Sequence, residues 1–447
     1  MAADIRNDFT TGNNMWKQLL MFSLPIVATS LLQSFYSIVD MVVAGHFINS
    51  AGLSAVSSGG QLMFQVTQVA VGITVGGNAL LGQYFGKKDH LNQQKASGTL
   101  LSFRAAAGIV LLAVLFIFAG PFMTLLQAPA FEESVIYTRI CAPGLLFSYG
   151  YNALSAIIRS YGNSRQPLYS IIAATVTNII LDIWFVAGLG MGVGGTAIAT
   201  VVSQGVTFFV LLFITIRHND VYGLRGGNLR IEGDKLKRIL KVGIPTAVQM
   251  LVAGFSWLVV LGFINKYQVD VSAAGGIVNK LLETLKFAIT ALAAGAGTMV
   301  AQCIGAKQFD RAKKIVNMTV VVNLVVSLIL FVLAQLLAGP MISIFTSEPE
   351  VIRIGTEHLK IESICFMFYA LFLSYNAMAT GAGHTIFIFF NSFMNCIVVR
   401  VVLVIILDRI MGRFGIYWAC GFAPLISVPI GMIYVRSGVW KKADLTK

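Results

Sequence analysis

Polar residues in this chain come in short bursts, and between them run apolar stretches of about twenty residues or more. Twelve such stretches stand out, near 19–45, 53–82, 97–120, 135–158, 167–188, 193–216, 239–264, 273–303, 316–345, 358–380, 385–407 and 414–436. At ~1.5 Å per residue, about twenty residues span the ~30 Å hydrocarbon core of a bilayer. Strands of a membrane barrel would be about ten residues long and would alternate polar with apolar. These runs are longer and almost uniformly apolar. The pattern predicts an all-α polytopic membrane protein with twelve transmembrane helices.

The pattern is also written twice. Ala119-Gly120-Pro121 recurs as Ala338-Gly339-Pro340, and Gln83-Tyr84-Phe85-Gly86 as Gln302-Cys303-Ile304-Gly305; both pairs lie 219 residues apart. Leu24-Pro25-Ile26 answers Ile244-Pro245-Thr246, 220 residues on. Six segments fall in each copy. An even number returns the chain to its starting side, so the copies are parallel repeats, an arrangement found in secondary transporters. The expected division is an N-terminal six-helix lobe at 1–216, a cytoplasmic linker at 217–238 and a C-terminal six-helix lobe at 239–447.

Composition agrees with a membrane protein: 57% of residues are hydrophobic and 11% charged, against about 25% charged in soluble proteins. Most of the basic residues fall on one side when loops are assigned alternately. They include Lys87, Lys88, Lys95, Arg159, Arg165, the linker cluster, Lys307, Arg311, Lys313, Lys314, Lys441 and Lys442. The other side has Arg139, Lys266, Arg353, Lys360, Arg409 and Arg413. The positive-inside rule then places both termini in the cytoplasm. The net charge of +13 is thereby explained by topology and anionic lipid, without nucleic acid. Segment one reads as an uncleaved anchor. The five cysteines and five histidines show no metal-ligand spacing and no disulfide frame, so no metal and no cofactor is expected.

Three acidic residues interrupt apolar stretches: Asp40, Asp182 and Glu283. A carboxylate near the centre of a spanning helix costs roughly 2.5–3.5 kcal/mol and persists where it meets a cavity, a partner or an ion path. Asp40 shares a helix face with Gln33, Tyr36 and Ser37 and with no basic residue. Asp182 follows Asn178 by one turn. Both carboxylates fall in the outer part of outward-running segments, at similar depth. Two acids close together in low dielectric cannot easily both ionise, which suits a carrier of H⁺ or of Na⁺ exchanging with it. Glu283 has Lys280 and Lys286 three residues either side, and an internal ion pair is the simple reading. Arg400 calls for a partner in a neighbouring helix. Lys280, Glu283 and Arg400 together form a second polar site in the C-terminal half.

Weaker signals remain open. Gln61, Gln65 and Gln68 share a face of segment two, and Asn391 and Asn395 one of segment eleven; either set serves as interhelical glue or as cavity lining. Gly72 and Gly76 suggest close helix contact. Segment ten is rich in aromatics and Met. It reads as packing or as an adaptable substrate pocket that includes Met367, Tyr369 and Tyr375.

Leu24-Pro25-Ile26, the run Ser37-Ile38-Val39-Asp40-Met41-Val42-Val43-Ala44-Gly45, and the Gln83 and Gln302 motifs together resemble the multidrug and toxic compound extrusion (MATE) transporters over nearly the whole chain. The match is nearest to the DNA-damage-inducible (DinF-like) branch, through Asp40 and Asn178…Asp182. That branch's polar network also includes a Tyr of helix four and a Thr of helix six, which the resemblance carries to Tyr137 and Thr200. The other bacterial branch uses carboxylates in helices seven and ten. Segment seven has none between Lys241 and Lys266, and segment ten has only Glu362 near its outer end. The resemblance implies an antiporter with two six-helix lobes forming a V-shaped cleft. It would work as a monomer in a bacterial cytoplasmic membrane, rocking between states to export drug-like organic cations or amphiphiles against H⁺ or Na⁺.

Three rival readings meet the same residues. A lipid-linked precursor flippase of the same wider superfamily would line its cavity with several cations, and Lys280, Lys286 and Arg400 are the deep candidates, with Arg104 nearer the inner end of segment three. An enzyme is disfavoured because no metal motif or nucleophile elbow lies within the helices. A channel is disfavoured because the carboxylates occupy one half and form no ring.

Overall fold

The computed structural model describes residues 7–48, 50–224 and 226–447; within its helices the side chains at 37, 38, 41, 42, 50, 51, 53 and 226 are outside the description. Every regular element among the described residues is helical. In chain order the long ones are α1 (Met15–Phe47), α2 (Ser50–Gly86), α3 (His90–Leu125), α4 (Phe131–Ser160), α5 (Arg165–Gly188), α6 (Gly192–Arg217), α7 (Gly233–Ile264), α8 (Val269–Gly305), α9 (Phe309–Ser343), α10 (Pro349–Glu362 and Cys365–Ala382), α11 (Thr385–Met411) and α12 (Arg413–Ser437).

Each expected segment has its helix, with two differences. Among the described residues, ten helices are long and apolar enough to cross a membrane on their own, and α10 makes an eleventh when its two pieces count as one span. The exception is α4, whose 30 residues give ample length but carry Glu132, Glu133, Arg139 and Arg159. It packs among α2, α3 and α6, so a long list of its residues is buried and little of its surface has to satisfy lipid. The second difference is α10. The apolar stretch 358–380 predicts one straight helix, yet the helix starts at Pro349 and bends by 43° at the break before Cys365. Its first piece is amphipathic. Arg353 pairs with Glu350 and Glu357, and Arg413 reaches Glu357 at 3.2 Å, so a polar network carries the helix past the apolar run.

The duplication is visible atom by atom. The loop after α2 hydrogen-bonds Lys88 N to Phe85 O and Asp89 N to Tyr84 O; the loop after α8 repeats this with Lys307 N to Ile304 O and Gln308 N to Cys303 O. Lys88 and Lys307 both take positive φ, 60° and 59°. Each copy also contains one π-helical turn, Ile183–Gly188 in α5 and Met394–Val399 in α11.

The chain forms two compact units, and their boundaries lie inside helices. Unit 1 comprises Met1–Asp8 and Ala28–Ala247; unit 2 comprises Phe9–Val27 and Val248–Lys447. The sequence suggested a break in the 217–238 linker. Instead, each unit includes the leading half of a helix whose trailing half belongs to the other, with crossovers just after Pro25 in α1 and Pro245 in α7. The physical reason is local docking. In unit 1 the linker is tied down by Lys235 Nζ donating to Tyr84 Oη (2.8 Å), by Thr99 Oγ1 donating to Arg230 O (3.1 Å) and by Tyr222 Oη donating to Gln166 Oε1 (2.6 Å). Arg225, within that linker, lies outside the described residues. In unit 2 the segment before α1 is held by Arg311, which donates to the carbonyls of Phe9, Thr11 and Gly12.

The same close approach follows in both units. A Cβ on Gly76 of α2 would stand 2.3 Å from Ile239 O of α7, and one on Gly295 of α8 would stand 2.3 Å from Ser23 Oγ of α1. Only a residue without a side chain allows backbones this near. Gly72 meets Ala247 in the same way, as the small-residue spacing suggested.

Candidate functional site

The membrane-depth acids of unit 1 come together. Asp40 on α1 and Asp182 on α5 lie within electrostatic and hydrogen-bonding reach of each other, with Asn178 beside both. Asp182 and Asn178 are buried. Oδ1 of Asp40, both carboxylate oxygens of Asp182 and both amide atoms of Asn178 are sealed from solvent with no hydrogen-bond partner of normal geometry. The groups face one another without being locked together. No Lys or Arg acts on either carboxyl among the described residues.

Tyrosines close the site. Tyr137 on α4 lies within reach of both carboxyls and of Cys141, one turn along the same helix. Val56 and Met63 of α2 and Val193 and Ala197 of α6 pack around that pair. Tyr36, one turn before Asp40, is within reach of Asp40 and Tyr151. Cys141 and Tyr151 were not singled out in the sequence; only the packing of α4 against α2 and α6 reveals them. Thr200 donates its hydroxyl to Thr196 O, one turn back on α6, at 2.9 Å and is not drawn into the carboxyl pair. Gln33 is half-buried, with no hydrogen bond to the pair. The side chain of Ser37 lies outside the described residues.

Unit 2 has a different cluster. Lys286 sits near the middle of α8, within electrostatic reach of Glu362, Arg400 and Cys365, and its Nζ stands 5.6 Å from the ring centroid of Tyr369. Arg400, which begins the helical turn after the π segment of α11, is within reach of Glu362. That is the neighbouring-helix partner the sequence called for. Glu362 is engaged in turn by His358 at 2.9 Å, and the His358 ring stacks on Tyr417 with centroids 3.7 Å apart. The suggested Glu283 ion pair does not close. Glu283 is exposed and feels Lys286 and Lys280, but neither ammonium comes within 4.0 Å among the described residues. Lys280 stays on α8 beside it, and only Arg400 of the three expected residues enters the cluster. The position of His358 near a segment end suggests ordinary solvation, yet the structure buries it; its spacing of four residues from Glu362 is the signal that points to the pair.

Of the three pocket residues suggested in α10, Tyr369 reaches this cluster. Tyr375 packs instead against Gly431 in the core, and Met367 is half-buried. Asn391 belongs to an interhelical network, its Nδ2 meeting Asn376 Oδ1 at 3.3 Å while its carbonyl accepts from Ser427.

Comparison with known proteins accounts for both halves. The chain is 26% identical over 446 residues to the probable multidrug resistance protein YoeA of Bacillus subtilis, covering 97% of this chain and 96% of that one. It is 23% identical to the multidrug export protein MepA of Staphylococcus haemolyticus, over 95% and 94% of the two chains. Its fold matches that of an outward-facing multidrug resistance MATE family transporter of the MOP superfamily, with a TM-score of 0.91, 18% identity and coverage of 99% and 98%. The MatE family model matches twice, at residues 25–184 and 245–406. The chain belongs to the MatE family of transporters.

Proposed function

We propose that this protein is a multidrug exporter of the cytoplasmic membrane that drives amphiphilic or cationic compounds out of the cell by antiport with H⁺ or Na⁺. The observation that carries the reading is the Asp40–Asp182 pair beside Asn178, with buried, unused acceptor capacity and no cation acting on it among the described residues. A carboxylate pair in a low-dielectric site takes up a positive charge readily. Protonation or Na⁺ binding there neutralises the pair, and a cationic substrate competes for the same field. Asp40 belongs to α1, the helix whose two halves serve different units. A change of charge at Asp40 therefore acts on an element that both units share, which is what alternating access requires.

Relatives named for multidrug resistance and export support the substrate class, and the basic loops support cytoplasmic termini. The deciding experiment is dye efflux from proteoliposomes with proton and sodium gradients imposed separately. Export should follow at least one gradient, and flux indifferent to both would end the antiport reading. In intact cells, Ser347→Cys should label from outside and Lys88→Cys should be protected; the reverse pattern would overturn the orientation.

A further inference from the structure

The cluster in unit 2 has more positive charge and more hydrogen-bond donors than its own residues satisfy. Lys286 and Arg400 bring two fixed positive charges to the middle of α8 and α11, and Glu362 is the one carboxylate acting on both. Glu362 is already committed to His358 Nε2 at 2.9 Å. Neither Lys286 nor Arg400 has a carboxylate oxygen within 4.0 Å among the described residues, and Nε of Arg400 is buried with no acceptor. The ammonium has three donors and the guanidinium five. The protein offers Lys286 a thiol, from Cys365, and the face of Tyr369. Nearby Glu283 is exposed and set between Lys280 and Lys286, and counting both of them leaves three cations against two carboxylates.

Fixed charge at membrane depth is expensive, and it normally faces a counter-ion or a pathway. Here the backbone also aims it. A π turn widens the helix and re-aims the side chain next to it; Met394–Val399 ends immediately before Arg400. Apolar side chains adjoin the cluster, the Tyr369 ring lying 6.0 Å from that of buried Phe372.

We propose that unit 2 carries an oxyanion site at Lys286 and Arg400 that takes the carboxylate or phosphate head of an amphiphile, with Tyr369 against its apolar body. This deepens the export reading by adding acidic amphiphiles to its substrates. The head group comes either from a transported compound or from a bilayer lipid; both present the same chemistry.

The test is equilibrium binding to the full-length protein in phosphatidylcholine nanodiscs, with no gradient, so a failure of coupling in flux assays leaves its result standing. The probes are 11-(dansylamino)undecanoic acid and its methyl ester. The acid should bind about tenfold or more tighter than the ester, the scale of charge-assisted hydrogen bonds. Lys286→Gln and Arg400→Gln should each remove most of that preference while ester binding persists, which reports an intact fold. If either variant loses the ester as well, Lys286→Arg and Arg400→Lys decide, and both should keep the acid preference. Phosphatidylglycerol added to the nanodiscs should displace the acid if a lipid head occupies the site, and should leave it bound if the site is kept for transported compounds. Equal affinity for acid and ester in the wild type, an unchanged acid preference in the glutamine variants, or its loss in the charge-retaining ones overturns the proposal.

Discussion

In α5 the residue before the π turn is Asp182; in α11 the residue after the corresponding turn is Arg400. Unit 1 gathers two carboxyls, an amide and tyrosines, with no cation acting on either carboxyl among the described residues, whereas unit 2 gathers a lysine and an arginine around a single glutamate that histidine also holds. The two share loop geometry to the level of individual hydrogen bonds. Duplication therefore copied the backbone devices, and side-chain substitution divided the chemistry. A carboxyl pair can change charge by taking a proton or a cation. An arginine keeps its charge, and with a lysine beside it offers a place for a counter-ion. The proposed coupling therefore rests on unit 1, and the proposed oxyanion site on unit 2.

The sharpest way to break this assignment is to remove titration from one side at a time. Asp40→Asn and Asp182→Asn keep shape and lose charge; each should abolish gradient-driven dye efflux in proteoliposomes. Glu283→Gln should retain most of it, because Glu283 is exposed and forms no ion pair. If Asp40→Asn still exports uphill at the wild-type rate while Glu283→Gln does not, the roles of the units are reversed.

Much of this contrast was legible in the sequence, for a physical reason. A carboxylate in an apolar run is costly wherever it stands, so Asp40 and Asp182 announce themselves, and their equal depth foretells that they meet. The offset of 219 residues foretells the paired loops and the paired close approaches at Gly76 and Gly295. Other features depend on packing that no local pattern records. The unit boundaries fall inside α1 and α7 because flanking segments dock by scattered side chains such as Arg311 and Lys235. Thr200, suggested by resemblance, turns its hydroxyl to its own helix. Glu362 looked like an end residue because hydropathy places the start of α10 too late, and the helix begins at Pro349 through ion pairs.

The next test concerns stability. Glu362→Gln removes the carboxylate that holds buried His358 and that Lys286 and Arg400 both feel, and breaking a buried pair by removing one partner costs about 3–5 kcal/mol. Thermal unfolding in detergent should show a large loss. Asp182→Asn relieves a carboxylate that has no cation, so it should be neutral or stabilising. Equal losses in the two variants would mean that both clusters are structural ion networks.

A smaller effect separates the two close approaches. Gly76→Ala drives a Cβ against the backbone carbonyl of Ile239, which cannot step aside, whereas Gly295→Ala meets the Oγ of Ser23, which can rotate. Overpacking costs about 1–3 kcal/mol. Gly76→Ala should fall in that range in thermal unfolding, and Gly295→Ala should cost clearly less. The reverse order would show that the Ser23 hydroxyl is pinned and that the α1 contact is the more rigid of the two.

The smallest predicted difference lies where the two loops are most alike. Asp89 caps α3, accepting from Asn92 N at 3.2 Å and from Asn92 Nδ2 at 2.8 Å; the equivalent position before α9 is Gln308, which makes no side-chain cap. Burial pushes the Asp89 carboxyl upward, but the Asn92 hydrogen bonds, with Lys87 and Lys235 nearby, outweigh it and hold the group below its ordinary value. Removing such a cap costs about 1 kcal/mol. At neutral pH Asp89→Ala should therefore lower stability by that amount, and Gln308→Ala by nearly nothing. The sign of the pH dependence follows from the depressed folded-state value. The contribution of Asp89 is complete above the ordinary carboxylate range and is lost as pH falls through that range and the lower folded value. Unfolding of wild type and Asp89→Ala should then converge in acid while Gln308→Ala tracks the wild type throughout. A gap between wild type and Asp89→Ala that is constant with pH would mean that Asp89 acts through packing, and that the two loops differ in shape rather than in charge.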